Sequence, residues 1–446
     1  MNLKTFFKGE ERSIKAKKNI IASFLIKGVD SIVYLLIVPV TLGYLNQYEY
    51  GIWLTLSSIL MWINSFDIGL GNGMRNRLAE AVANNDRQLG RIYVSTTFFM
   101  LILLMGVLIV IGSVFEPFLD WYSILNTTPK QVAHLDEIVY VAFAIFCLNF
   151  IFKFIGNVYL AMQLPAINNF MIVSGHLLSL IVIYILTRTT SGSLFWVAVV
   201  YSGSPLIIYL AAYPITFFKV YPYLSPSIRY CKKSHLRELF NIGLQFFILQ
   251  LSGILLFTVA NLFISHMFGP EQVTPYNIAY RYFSVILMAM NLILAPMWSA
   301  TTDAYAKGDI DWIKRIMTTI RKVMLIVTMC IGIMILISEF IYRIWIGSEV
   351  HIPFMMSLIM GLYVCIQIWS LSYSSILNGL GKLRIQTINT VIMAFCFYPL
   401  SYILGIKLGV IGIVLSLAVL NLSGLIINRI QYLKIINNRA DGMWNK

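Results

Sequence analysis

Asp67–Asp86, DIGLGNGMRNRLAEAVANND, sets the architecture of the whole chain. It leaves an apolar segment through Gly69, Gly71 and Gly73, residues that weaken a helical backbone. It then passes through Arg75 and Arg77 into a short amphipathic run, Ala79, Glu80, Ala81, Ala83 and Asp86. The run returns as Thr302, Asp303, Ala304, Ala306 and Asp309, and Asp309 lies 223 positions after Asp86, half of the 446-residue chain. In that register Met74 falls on Met297, and helix-breaking Gly73 falls on helix-breaking Pro296. Both copies sit at the same point between apolar stretches. The chain therefore reads as two copies of one membrane unit joined in tandem.

Composition agrees. The chain is 59% hydrophobic and 12% charged, with a mean hydropathy of +0.79, whereas soluble domains carry about 25% charged residues. A net charge of +14 suggests nucleic acid, but the basic residues cluster in alternate loops, as insertion topology predicts. No nucleic-acid partner is expected. The five cysteines are scattered and show neither a disulfide framework nor metal-ligand spacing. The N-terminal apolar run is too long for a signal-peptide core and reads as an uncleaved first span.

At about 20 apolar residues per crossing, twelve spans are expected. They fall at about 20–42, 50–70, 92–115, 138–160, 166–187 and 194–217, then at 239–267, 275–299, 322–341, 354–377, 384–404 and 409–428. The fold class is all-α integral membrane, with two six-helix pseudo-repeats around a central cavity. The domains are 1–218, a cytoplasmic linker at 219–237, and 238–446. With the N-terminus inside, 26 of 33 lysines and arginines fall in cytoplasmic segments and only Lys130, Arg188, Arg343 and Lys407 in outer loops, so both termini are expected in the cytoplasm. The longest outer connection, about Glu116–Glu137, is too short to house an active site. A phosphate-binding G-x-x-x-x-G-K-[ST], an H-E-x-x-H and a strand-linked glycine motif are all absent. An enzyme is not expected.

An ionisable group deep in a span costs roughly 2.5–3.5 kcal/mol on insertion scales and so marks a functional position. The first span carries Lys27, Asp30 and Tyr34 on one helical face, at i, i+3 and i+7. The fourth offers Asn149, Lys153 and Asn157, the eighth Asn277, Arg281, Ser284 and Asn291, and the seventh Asn241, Gln245 and Gln250. Lys27, Asp30, Tyr34, Lys153, Asn277 and Arg281 are the candidate substrate-binding residues. Facing one cavity they form a cationic set suited to a phosphorylated or otherwise anionic substrate. Asp30 is expected to pair with Lys27 or Arg281 when the cavity is empty. The plainer alternative is that Lys27 and Asp30 pair internally while the other cations snorkel. Asp67, Arg75, Arg77, Glu80, Asp86, Asp303 and Asp309 lie at the basic ends of spans, either as salt-bridged caps or as a gate. The five histidines, His134, His176, His235, His266 and His351, read as isolated. No cofactor is expected beyond a coupling H+ or Na+, for which Asp30 is the candidate carrier.

A resemblance adds to this reading. The run YGIWLTLSSILMWINSFDIGLGNGMRNRLAEAVANND (Tyr50–Asp86) is similar to the N-terminal signature of Wzx-type polysaccharide flippases of the multidrug/oligosaccharidyl-lipid/polysaccharide exporter superfamily. The second-half run Phe246–Arg315 resembles the same family's pattern, through GPEQVTPYNIAYRYF and WSATTDAYAKGD. The resemblance implies two six-helix bundles enclosing a V-shaped cavity. It implies an undecaprenyl-diphosphate-linked oligosaccharide as substrate, moved from the inner to the outer leaflet of a bacterial plasma (inner) membrane. In such families the first helices of each half line a cationic cleft, which Lys27, Asp30 and Arg281 match and Lys153 matches less closely. Partners would be that polyprenyl-diphosphate-linked glycan, membrane lipid and other glycan-assembly proteins, with the chain acting as a monomer.

Three rivals stand beside this reading. A cation-coupled multidrug exporter of the same superfamily would present acidic groups to a cationic drug, whereas this chain buries more cations than anions. A membrane glycosyltransferase or polymerase would need larger outer catalytic loops. A scaffold within a glycan-assembly complex has no use for intramembrane charge.

Overall fold

The computed structural model describes residues 11–61, 63, 70–162, 164–232, 234, 259–306, 308–382 and 384–445, without the side chains of 11–21, 23, 24, 72, 76, 83, 295, 296, 298–300, 302, 303 and 306. These residues form helices and turns with no strand among them. The chain divides into two units, Met1–Ile254 and Leu255–Lys446. The first holds α1 (Glu11–Tyr44), α2 (Gln47–Leu60), α3 (Leu70–Ala83), α4 (Arg87–Phe115), α5 (Trp121–Ile124), α6 (Leu135–Ala161), α7 (Pro165–Thr189) and α8 (Leu194–Pro214). The second holds α9 (Val259–Phe268), α10 (Val273–Ala306), α11 (Ile310–Leu336), α12 (Ser338–Ile346), α13 (Phe354–Gly379), α14 (Arg384–Leu408) and α15 (Val410–Ile436).

Ten of these helices are long and apolar enough to cross a bilayer: α1, α4, α6, α7, α8, α10, α11, α13, α14 and α15. The other two expected spans are represented by the shorter α2 and α9. Their continuations, 64–69 and 235–258, lie outside the described residues. So do Asp67, Asn241, Gln245 and Gln250.

The tandem repeat is written into the backbone. Before α4, Asn85 takes a left-handed φ of 56°, and before α11 Gly308 takes 73°. Asp86 N–H donates to Ala81 O at 2.8 Å, and Asp309 N–H to Ala304 O at 2.9 Å. Asn85 N–H reaches Val82 O at 3.1 Å, and Gly308 N–H reaches Tyr305 O at 3.0 Å. This is one helix-ending motif, with a left-handed residue closing the last turn, built twice at a 223-residue offset. Each aspartate then caps the next helix. Asp86 Oδ1 accepts from Leu89 N–H and Asp309 Oδ1 from Trp312 N–H, both at 2.9 Å. Both carboxylates are exposed, so alanine at either position is expected to cost about 1 kcal/mol, read as faster thermal inactivation in detergent. Wild-type inactivation in both variants would contradict the capping role.

α3 is the amphipathic helix its pattern promised, burying Leu70, Met74, Leu78 and Ala81. The segment after α8 was expected to be a linker, and its described part is held against the first unit. Arg91 of α4 donates from Nε to Ser225 O at 3.0 Å and lies 4.4 Å from the Tyr230 ring. Ser227 N–H donates to Ser95 Oγ, and Lys232 N–H to Thr96 Oγ1.

Packing follows the same repeat. In the first unit α4 packs on α6, α6 on α8, and α7 on α8; in the second, α11 packs on α13, α13 on α15, and α14 on α15. In the first unit Phe98 of α4 fills an aromatic cluster, 4.9 Å from Phe154 of α6 and 5.7 Å from Tyr213 of α8. Outside these seams the helices present large apolar side chains, among them Val110, Phe170, Leu336 and Phe395. Such a shell is stable only against lipid.

Candidate functional site

α1 rises past Lys27, Asp30 and Tyr34 and packs on α7. Asp30 is buried at 6% exposure. Its Oδ1 lies 2.7 Å from Nδ1 of His176, which α7 brings in from 146 residues away. Gly175 beside it faces α8 so closely that a Cβ would stand 2.9 Å from Pro205 Cα. α7 therefore lies tight on α8 while the next residue turns to α1. The isolated-histidine reading is corrected for His176, and the Lys27–Asp30 pair is not formed: the aspartate bonds the imidazole. Lys27 is half-buried, with no charged partner among the described residues. Its carbonyl accepts from Ser31 Oγ at 3.0 Å. Tyr34 is half-buried, while Lys153 on α6 is exposed, and both make contacts of their own. Asn149, on the same α6, buries an Oδ1 that has no hydrogen-bond partner among the described residues.

His176 was missed although a signal existed. It stands near the middle of the 25-residue helix α7, the same criterion of depth that singled out Lys27. Its partner was invisible because five helices lie between α1 and α7 in the sequence.

In the second unit, Asn277 is buried at 4% exposure, and its Nδ2 donates to Asn261 Oδ1 on α9 and to Val273 O, both at 2.9 Å. Asn261 is fully buried, and its own Nδ2 has no acceptor among the described residues. One turn beyond Asn277, Arg281 is half-buried and engaged, and its carbonyl accepts from Ser284 Oγ at 2.9 Å. Asn291 is exposed and donates to its own helix at Leu287 O. The predicted stripe on α10 thus splits: Asn277 ties α10 to α9, while Arg281 keeps a partly open position.

Among the acidic and basic positions at the span ends, Arg77 Nη1 pairs with Glu80 Oε2 at 2.8 Å on the exposed side of α3. Arg75 is exposed. Asp86 and Asp309 are the caps described above. The side chain of Asp303 lies outside the described residues. Among the described residues no three histidine, cysteine, aspartate or glutamate side chains come together as a metal would require.

Ten bilayer-length helices in two like-built units, with ionisable side chains inside spans, define a multi-pass membrane protein. The fold is that of multidrug exporters. An inward-facing multidrug-resistance transporter of the MATE family, in the MOP superfamily, superposes with a TM-score of 0.78 at 14% identity, covering 94% of this chain and 98% of that one. An outward-facing structure of a transporter of that family gives 0.67 at 14% identity, covering 95% and 96%. The sequence profile described as polysaccharide biosynthesis protein matches residues 16–301, and the MatE profile matches 246–403. The chain belongs to the polysaccharide biosynthesis protein family. A Yersinia pseudotuberculosis protein named for O-antigen export is 21% identical over 388 residues, covering 85% of this chain and 87% of that protein. A Salmonella typhimurium LT2 protein named for O-antigen transport is 21% identical over 412 residues, covering 89% and 91%.

Proposed function

We propose that the chain flips a lipid-linked, negatively charged oligosaccharide from the inner to the outer leaflet of a bacterial plasma membrane. The observation that carries this reading is the charge balance of the spans. Lys27, Lys153 and Arg281 are cations on membrane helices, while the carboxylate of Asp30 is bonded to His176. A surplus of positive charge on spans suits phosphate or acidic sugar, and repels a cationic drug. Family membership and the names of the relatives point the same way.

In this mechanism Lys27 and Arg281 hold the diphosphate or acidic sugars as the head group crosses, and the prenyl tail stays in lipid. Alternating access exposes the bound head group to one side of the membrane and then the other. Tyr34 and Asn277 flank the two cations one to two turns along their helices, and Lys153 adds charge from α6. The chain works in the inner membrane with both termini cytoplasmic, as a monomer beside other glycan-assembly proteins. A coupling H+ or Na+ would bind at Asp30. No chemical bond is made or broken.

Deletion of the gene is expected to accumulate a lipid-linked oligosaccharide on the inner leaflet and to deplete surface glycan, read by extraction and mass analysis of the lipid fraction. The second reading, a multidrug exporter, is favoured by the MatE match over 246–403. It would be chosen instead if the deletion strain accumulated no such lipid and became sensitive to cationic drugs.

A further inference from the structure

The internal repeat provides a comparison that the chain makes with itself. At the offset fixed by the two caps, Phe98 of α4 corresponds to Arg321 of α11. In the first unit this position is apolar and buried: Phe98 lies among Phe152, Phe154 and Tyr213, on α6 and α8. In the second unit the equivalent helices α13 and α15 supply Tyr373 and Tyr432, with ring centroids 5.7 Å apart and both side chains buried. The residue beside both rings is an arginine. Its Cζ lies 5.9 Å from the Tyr373 ring and 6.0 Å from the Tyr432 ring. The architecture is therefore satisfied by phenylalanine, and the arginine answers another need.

Among the described residues, the buried Nε of Arg321 has no hydrogen-bond partner and no carboxylate pairs with the guanidinium. A half-buried guanidinium beside two tyrosine rings and lacking a counter-ion among the described residues is costly unless an anion completes it. Its depth says which anion. Arg321 and Lys322 are the last charges of α11 before the apolar run 323–336. Exposed Lys314 and Arg315 precede them, and exposed Arg429 lies on the neighbouring α15. This is the basic end of the unit, where lipid phosphates lie. The planar fork of arginine matches phosphate oxygens better than it matches any neutral partner.

We propose that Arg321, lying beside the paired rings of Tyr373 and Tyr432, is a phosphate-binding site on the second unit, open to the phosphate group of an amphiphile in the adjacent leaflet. The site lies within α11, α13 and α15 and is separate from the Lys27 and Arg281 positions assigned to transport. It does not depend on which glycan is carried.

The test uses the purified full-length chain as wild type, R321K and R321F, in phosphatidylcholine discs with or without phosphatidylglycerol. R321F installs the residue that the first unit already tolerates, so its melting temperature is expected at or above wild type. If it fails to accumulate, R321Q carries the same comparison. Native mass spectrometry is expected to show phosphatidylglycerol retained by wild type, less by R321K, and about tenfold less by R321F, in keeping with the loss of a hydrogen bond between charged groups. Inorganic pyrophosphate added without anionic lipid separates the sources. Stabilisation of wild type but not R321F by pyrophosphate assigns the site to soluble phosphate, and retention of phosphatidylglycerol alone assigns it to lipid. Equal lipid retention by wild type and R321F, with no difference in their response to pyrophosphate, overturns the proposal.

Discussion

Replacing Arg281 by glutamine is expected to abolish surface glycan while leaving the protein at wild-type level in the membrane. The side chain sits on α10, half-buried, one turn beyond the Asn277–Asn261 tie. That tie joins α9 to α10 without help from the guanidinium, so the helix should hold its place when the charge is removed. A charge-assisted hydrogen bond to phosphate is worth about 1.5–3 kcal/mol, and losing one or two of them lowers transport by tenfold or more. R281K keeps the charge but not the planar fork and is expected to retain part of the activity. Surface glycan is measured by lectin binding or gel mobility, and protein level by immunoblot of membranes. Unchanged glycan in R281Q removes this residue from the mechanism.

The second large effect concerns the Asp30–His176 pair. Replacing His176 by phenylalanine strands a carboxylate that is only 6% exposed and removes its partner at 2.7 Å. The histidine side chain is 48% exposed, so solvent softens the penalty, and a loss of about 1–3 kcal/mol is expected. Asp30→Asn keeps a hydrogen-bonding group opposite the imidazole and should cost less. The double variant D30L/H176F, with neither polar group left unpaired, should recover most of the stability lost by H176F alone. Stability recovered without transport would assign the pair a role in the transport cycle, whereas recovery of both would make it a packing feature. A stable H176F single variant would contradict the burial argument.

The parts of this molecule that are legible in sequence are local or compositional. Bilayer-length apolar runs and the basic bias of alternate loops each depend on a few neighbouring residues. The repeat was legible because its most regular point is a helix junction, and left-handed Asn85 and Gly308 are residues suited to that backbone. The aspartate caps also explain why acidic residues recur there among arginines and lysines: their oxygens bind the first-turn amides of α4 and α11.

What sequence did not disclose are contacts made across helices. The partner of Asp30 is His176, not Lys27, and helical periodicity within α1 carries no information about α7. The contrast between Phe98 and Arg321 needs the repeat register and three helices in each unit before it means anything. The contacts of the linker are of the same kind: Arg87 and Arg91 of α4 lie over the rings of Tyr223 and Tyr230.

Leaflet transfer by the purified chain is the most direct measurement. Vesicles containing the protein and a polyprenyl-diphosphate-linked oligosaccharide are treated with a membrane-impermeant glycosidase, which digests only the outward-facing fraction. Wild-type protein is expected to expose the protected fraction over time, and R281Q to leave it protected. Protection equal to that of protein-free vesicles, with correctly folded wild-type protein present, would contradict leaflet transfer by this chain.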